Sequence, residues 1–160
     1  MGRGKSMPGT EPSLKARALR YLAAREHSRA ELAAKLVRHA GEEDGPESIE
    51  RVLDELSAKG FINEARVAES VLHRRAPRLG AARVLHELRS KALPEAVIAA
   101  AAARLRATER ERAHAVWLKK FGKPPQDATE LARQLRFLAA RGFSGDIARR
   151  AITGGRDEPG

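Results

Sequence analysis

The sequence has no cysteine and few aromatic residues, with one Trp, one Tyr and four Phe among 160 residues. The lack of cysteine excludes disulfide bonds and thiolate metal ligands. No apolar run approaches the roughly 20 residues needed to span a bilayer, and the N-terminus lacks the apolar core of a secretory signal. We therefore expect a cytoplasmic protein without membrane association, whose core is built from aliphatic side chains.

The composition instead favours helices and a polyanionic partner. Hydrophobic residues make up 42% of the chain, and Ala, Leu and Arg, which are good helix formers, are abundant. Lys and Arg total 31 against 21 Asp and Glu, which gives a net charge of +10. Such an excess suits nucleic acid, an acidic protein surface or an anionic membrane. A genome rich in G and C, which favours Arg codons, would produce the same bias.

Helix start and stop signals divide the chain into nine predicted short helices. Ser28 with Glu31, Thr108 with Glu111, and Asp127 with Glu130 form capping patterns at predicted helix starts, and Ser144 caps the ninth helix. Glycine or proline follows most of the predicted helix ends. No stretch shows the sustained alternation of a strand, so we expect an all-α protein.

Weak self-similarity groups these helices into repeats. The segment from Leu85 to Leu93 aligns with that from Leu135 to Phe143 at an offset of 50 residues. We predict three tandem three-helix repeats that form an elongated, curved array, as in other helical repeat proteins. The predicted parts are a disordered tail over 1–13, repeats over 14–60, 61–106 and 107–153, and a second disordered tail over 154–160.

No residue pattern indicates catalysis or metal binding. The five histidines, His27, His39, His73, His86 and His114, are never three to five residues apart, so no helix face offers a paired metal site. Motifs of hydrolases, metalloproteases and phosphate-binding loops are absent in a suitable context. We expect a protein that is not an enzyme and that needs neither a metal nor another cofactor.

Basic residues cluster at corresponding helix ends and are the main candidates for a binding site. A row of cations at one level of a repeat array would follow a phosphate backbone or an acidic groove. The tendency of Lys and Arg to occupy helix C-termini, where they complement the helix dipole, accounts for the pattern about as well. The candidates are Arg25 in the first repeat, Arg74, Arg75 and Arg78 in the second, and Lys119, Lys120 and Lys123 in the third.

Three segments resemble motifs of the RecX family, in the family's order and spacing over about residues 14–152. They are Arg17-Ala18-Leu19 with Arg25 and Ser28, Leu79-Gly80 with Arg83-Val84, Leu88 and Lys91, and Arg141-Gly142-Phe143-Ser144 with Ile147. Two positions depart from the family pattern: Asn63-Glu64 stands where two Asp are usual, and Ala140 replaces the first of two Arg. Arg83, Lys91 and Arg141 lie within these motifs and are secondary candidates for contacts or for packing between helices.

The resemblance implies a regulator of the recombinase RecA. RecX proteins bind in the groove of the RecA–DNA filament and restrain its ATPase, strand-exchange and co-protease activities. We therefore expect a monomer that contacts the RecA filament and possibly its single- or double-stranded DNA. Three alternatives stay open: a general DNA-binding protein with no need for RecA, a nucleic-acid enzyme with an unrecognised site, and a pure interaction scaffold.

Overall fold

The computed structural model describes residues 11–154. Within this range every regular element is an α-helix and no strand is present, which confirms the predicted all-α class. The predictions for residues 1–10 and 155–160 lie outside the described residues. The helices are α1 (Leu14–Ala24), α2 (Arg29–Val37), α3 (Pro46–Ala58), α4 (Glu64–Arg75), α5 (Ala81–Ser90), α6 (Glu95–Lys120), α7 (Ala128–Ala140) and α8 (Gly145–Ile152).

The described residues form eight helices, not nine, because the predicted sixth and seventh helices are one continuous helix of 26 residues. Thr108 is therefore not a helix cap. Its hydroxyl donates to the Arg104 carbonyl 3.4 Å away and accepts from Arg112 Nε at 2.9 Å, both within α6. No Gly or Pro interrupts α6, and strong helix formers flank Thr108 on both sides. The prediction of a helix start at Thr108 is therefore wrong, because the surrounding residues favour one continuous helix.

The other predicted helix starts are confirmed. Ser28 and Glu31 form a reciprocal capping box at the start of α2. The Asp127 side chain accepts from the backbone N–H of Glu130 at 2.8 Å, and the Ser144 hydroxyl accepts from that of Ile147 at 3.3 Å. Each bond satisfies a first-turn N–H that has no partner within its own helix.

The chain divides into two compact units between Val67 and Ala68. In the first unit, α1, α2 and α3 pack around a core of aliphatic side chains, among which Leu32, Leu36, Leu53 and Leu56 are fully buried. The core positions on α2 and α3 are spaced three or four residues apart, as the helical period requires.

In the second unit, the long helix α6 packs against α5, and towards its later end it packs against α7 and α8. The core at that later end contains Trp117, Leu138, Phe143, Ala148 and Ile152. Trp117 is buried with its indole N–H donating to Gln134 Oε1 at 2.7 Å, so a buried polar group is satisfied.

Helix ends in the second unit recur at the offset of 50 residues seen in the sequence. The caps Lys91 of α5 and Arg141 of α7 occupy matching places, and α6 and α8 begin at the matching residues Glu95 and Gly145. The residue after each cap has a positive φ, 54° at Ala92 and 94° at Gly142. The predicted repeat boundaries stay a prediction, and the one between residues 106 and 107 falls inside α6.

Candidate interaction groove

A groove on the second unit brings together four of the cations that the sequence singled out. It has a volume of about 500 Å³ and is lined from the turn after α4, from α6 and from α7. Its cations are Arg78, Lys119, Lys120 and Arg141, and no carboxylate is among the described residues that line it. Since like charges face one opening without a neutralising side chain in its lining, the groove presents a positive surface to solvent.

The floor of the groove is apolar. Ala115 and Val116 contribute from α6, Phe137 from α7 and Pro77 from the turn after α4. The Phe137 ring packs edge-on against Phe121, with ring centroids 5.3 Å apart and planes at 84°. Two groove cations lie near the same ring, with Lys120 Nζ 5.5 Å and Arg141 Cζ 4.7 Å from its centroid. Cation–π attraction at these distances helps to hold both cations at the rim.

The turn that carries Arg78 is fixed by a half-buried arginine of α6. One terminal nitrogen of Arg112 donates to the carbonyls of Ala76 at 2.8 Å and Leu79 at 2.6 Å, and the other donates to that of Leu105 at 2.8 Å. Burial lowers the pKa of the Arg112 guanidinium, and the nearby charge of Glu109 opposes that shift. The bonds to Ala76 and Leu79 satisfy carbonyls of the turn that follows α4.

A close backbone approach positions Arg141, the fourth groove cation. The N–H of Gly80 donates to the Arg141 carbonyl at 2.7 Å, and a Cβ added to Gly80 would lie 2.3 Å from the Gly142 carbonyl carbon. The Arg83 guanidinium donates to the Ala140 carbonyl at 2.7 Å. The Leu79-Gly80 and Arg141-Gly142 motifs therefore form one joint between the start of α5 and the end of α7.

The remaining sequence candidates lie outside the groove lining. Arg25 is exposed at the end of α1 and pairs with Glu31 at 3.2 Å. Arg75 forms an ion pair with Glu87, with Nε and Oε2 3.2 Å apart. The geometry of this pair is not that of a hydrogen bond, and the buried Nε has no hydrogen-bond partner. Arg74 and Lys123 are exposed, and their carbonyls accept from Arg78 and Gln134. Lys91 is partly buried at the end of α5. Contact roles for these residues stay predictions.

Sequence reasoning missed the apolar floor and the residues that support the groove. Phe137 follows Arg136 and stands four residues before Arg141. An aromatic residue between cations was therefore the only sequence feature that could have indicated its place in the groove. Arg112 gave no signal, because an arginine in an exposed-looking helix is usually solvated, and only tertiary contacts with the turn after α4 bury it. Over residues 11–154, no cluster of potential metal ligands is present, and no helix is long and apolar enough to cross a membrane.

Fold and groove together define an all-helical repeat protein with a positively charged groove on its second unit. Residues 108–152 match the family domain described as "RecX, third three-helix domain". The chain is 57% identical to the regulatory protein RecX of Leptothrix cholodnii over 140 residues, 88% of this chain and 87% of that protein. It is 47% identical to that of Ralstonia nicotianae over 149 residues, 93% of this chain and 92% of the relative.

The crystal structure of RecX from Lactobacillus salivarius has the same fold, with a TM-score of 0.75 over 89% of this chain and 94% of that one at 20% identity. The chain belongs to the RecX family of regulatory proteins. This confirms the resemblance inferred from the three motifs, and a family of regulators agrees with the expectation that the chain is not an enzyme.

Proposed function

We propose that this chain binds the RecA–DNA filament and restrains RecA's ATP hydrolysis, strand exchange and co-protease activity. The observation that carries the proposal is the positive groove formed by Arg78, Lys119, Lys120 and Arg141 in a chain with a net charge of +10. Membership of the RecX family supplies the choice of partner. A regulator of this kind needs a surface for a polymer and no catalytic group.

The test is RecA's hydrolysis of ATP on single-stranded DNA, measured with this protein at substoichiometric levels. We expect strong slowing by the wild type and much weaker slowing by the triple variant Arg78→Ala, Lys119→Ala, Lys120→Ala. The matched control removes three exposed cations outside the groove lining of the same unit: Arg89→Ala, Arg106→Ala, Arg136→Ala. An equal loss of inhibition in both triple variants would show that total charge matters and the groove does not.

A second variant addresses the neighbouring cluster that the sequence singled out. Arg74 and Arg75 precede the turn of Arg78, and Arg75 contacts Glu87 within the same unit. We expect the triple variant Arg74→Ala, Arg75→Ala, Arg78→Ala to weaken inhibition while the far-ultraviolet circular dichroism stays helical. Unchanged inhibition would remove this cluster from the contact surface.

The alternative is a general DNA-binding protein, which the net charge alone would support. It predicts tight, salt-sensitive binding to naked DNA that does not need RecA. No effect on RecA together with tight binding to naked DNA would favour this alternative. Slowing confined to RecA would exclude it.

A further inference from the structure

The groove of Arg78, Lys119, Lys120 and Arg141 differs from a simple phosphate-binding surface, because its floor is apolar and concave. A nucleic-acid backbone needs cations along its path and gains nothing from an apolar hollow. The hollow of about 500 Å³ lies in the size range of sites that enclose apolar groups. A ligand that uses the whole groove must therefore offer both negative charge and an apolar group.

The aromatic ring in the floor is poorly placed to stack on a base. Proteins that bind single strands use exposed aromatic faces as platforms. Phe137 is only partly exposed, packs against Phe121, and has Lys120 and Arg141 near its ring. These neighbours restrict access to the faces of the ring, which remains available for contact with an aliphatic or aromatic side chain that enters from solvent.

We propose that the groove binds an acidic protein segment that carries one large apolar side chain between its carboxylates. The proposal rests on the proposed function, since it specifies the part of the protein partner that this site recognises. Carboxylates pair with Arg78 and Arg141, which can each donate two parallel hydrogen bonds, and with Lys119 and Lys120. The apolar side chain enters the hollow lined by Ala115, Val116 and Phe137.

Both parts of the ligand are required for binding. Exposed ion pairs contribute little on their own, because water screens them and long side chains lose rotamer freedom. A buried apolar anchor adds the energy, and the surrounding charges select the partner and orient it. Acidic segments without an anchor, and apolar segments without acids, should therefore bind weakly.

The probe is a fluorescent 12-residue peptide of glutamate and aspartate with one central leucine, and its partner peptide has serine in place of leucine. Binding to the full chain is followed by fluorescence anisotropy. We expect saturable binding of the leucine peptide and at least about fivefold weaker binding of the serine peptide, as loss of an anchor commonly causes. Absence of saturable binding of the leucine peptide, or equal binding of the two peptides, would overturn the proposal.

Two variants locate the binding on the protein. Ala115→Met fills the hollow without changing any charge, and Ala99→Met is its control at an exposed alanine of the same helix outside the groove lining. We expect Ala115→Met to weaken the leucine peptide about fivefold or more, and Ala99→Met to leave it unchanged. Equal affinities for these two variants would show that the hollow is not used.

A single-stranded oligothymidylate of 12 nucleotides tests the nucleic-acid alternative. We expect Arg78→Ala, Lys119→Ala, Lys120→Ala to weaken the leucine peptide strongly and the oligonucleotide little. If this triple variant loses the oligonucleotide and Ala115→Met has no effect on the peptide, the groove is a phosphate site and the proposal is wrong. RecA inhibition is measured separately on the wild type: its absence refutes the proposed function, whereas inhibition without peptide binding refutes only this inference.

Discussion

Gly142 lies in the joint between the two glycine motifs of the second unit, where it packs closely against Arg83. Its φ is 94°, a conformation that side chains disfavour, and a Cβ there would lie 2.3 Å from Arg83 Cγ. We expect Gly142→Ala to lower the free energy of unfolding by about 2–4 kcal/mol, from the backbone conformation and the overpacking together. Urea unfolding followed by circular dichroism would measure the loss.

Gly145 provides the control for that substitution. It is the first residue of α8, its φ is not positive, and a Cβ there would meet nothing within 4 Å. Gly145→Ala should leave stability unchanged or raise it slightly, because alanine loses less backbone entropy in a helix. If both variants lose the same stability, the close approach at Gly142 is not the cause.

We expect His27 to make the stability of the first unit depend on pH. Its ring is fully buried, with Nδ1 3.0 Å from the Arg25 carbonyl and Nε2 2.7 Å from Lys35 Nζ. Both contacts fit a neutral ring that donates from Nδ1 and accepts at Nε2. Burial lowers the pKa of His27, the bond to Arg25 and the charge of Glu31 oppose this, and the charges of Arg25 and Lys35 add to it.

The sign of the effect follows from proton uptake. Below a pH of about 6.5 the unfolded chain protonates this histidine while the folded chain resists, so the unfolded state binds more protons. The free energy of unfolding should therefore fall as the pH drops from 7.5 to 5.5. We expect His27→Gln to reduce this dependence, whereas His86→Gln, at an exposed position, should keep it. The free energy of unfolding is measured by urea titration at both pH values, and amide exchange in α1 and α2 reports on the first unit.

A pH dependence that is the same in His27→Gln as in the wild type would show that other groups cause it. The comparison uses the change with pH within each variant, so a general loss of stability in His27→Gln does not affect the conclusion.

At the scale of elements, the main error of the sequence-based prediction is the break that it placed within α6. A proline at Ala107, an exposed residue near the middle of α6, removes a helical hydrogen bond and clashes with the preceding turn. We expect Ala107→Pro to cost about 3 kcal/mol of stability in thermal or urea unfolding. Had a new helix begun at Thr108, a proline just before it would be tolerated.

The control for this variant is Glu95→Pro. Glu95 is the first residue of α6, where proline suits the helix and the missing N–H has no helical partner. Residue 94 before it is extended, with φ −59° and ψ 146°, as a residue that precedes proline prefers. Equal destabilisation by both variants would contradict a continuous helix.

Two identical-looking sequence patterns had different outcomes in this chain. Ser28 caps α2 because α1 has already ended at Ala24. Arg25 and Ser28 both have extended backbone, and the Ser28 side chain is buried. Thr108 has helix formers on both sides, so the helix continues and its hydroxyl bonds within α6. A capping pattern predicts a helix start only where the preceding residues also favour an end.

At the scale of the whole molecule, the net charge of +10 should make the proposed filament binding sensitive to salt. We expect the apparent affinity in RecA inhibition to fall by at least about tenfold between 50 and 200 mM salt. Binding releases cations condensed on a polyanionic partner, and added salt makes that release less favourable. The measured quantity is the ratio of RecA's rates of ATP hydrolysis with and without this protein at each salt concentration.

Circular dichroism at each salt concentration serves as the control for folding. Constant inhibition across this range, with constant helicity, would mean that charge contributes little to the interaction. A loss of helicity in parallel with the loss of inhibition would assign the effect to folding and contradict the electrostatic explanation.

The sequence alone determined the all-α class, most helix ends and the family. Each of these depends on local information: the helix formers between glycines and prolines, side-chain caps such as Ser28, Asp127 and Ser144, and motifs that lie within one or two helices. Local preferences act between residues a few positions apart, so they can be read along the chain.

Only the tertiary structure decided which cations meet and what lies between them. Arg78 reaches the groove because Arg112 of α6 holds the turn after α4, and Arg141 reaches it because Gly80 and Gly142 allow two backbones to touch. Phe137 forms part of the floor beside Ala115 and Val116 of α6. These residues are far apart in sequence, and their positions depend on packing between helices, which short-range propensities do not specify.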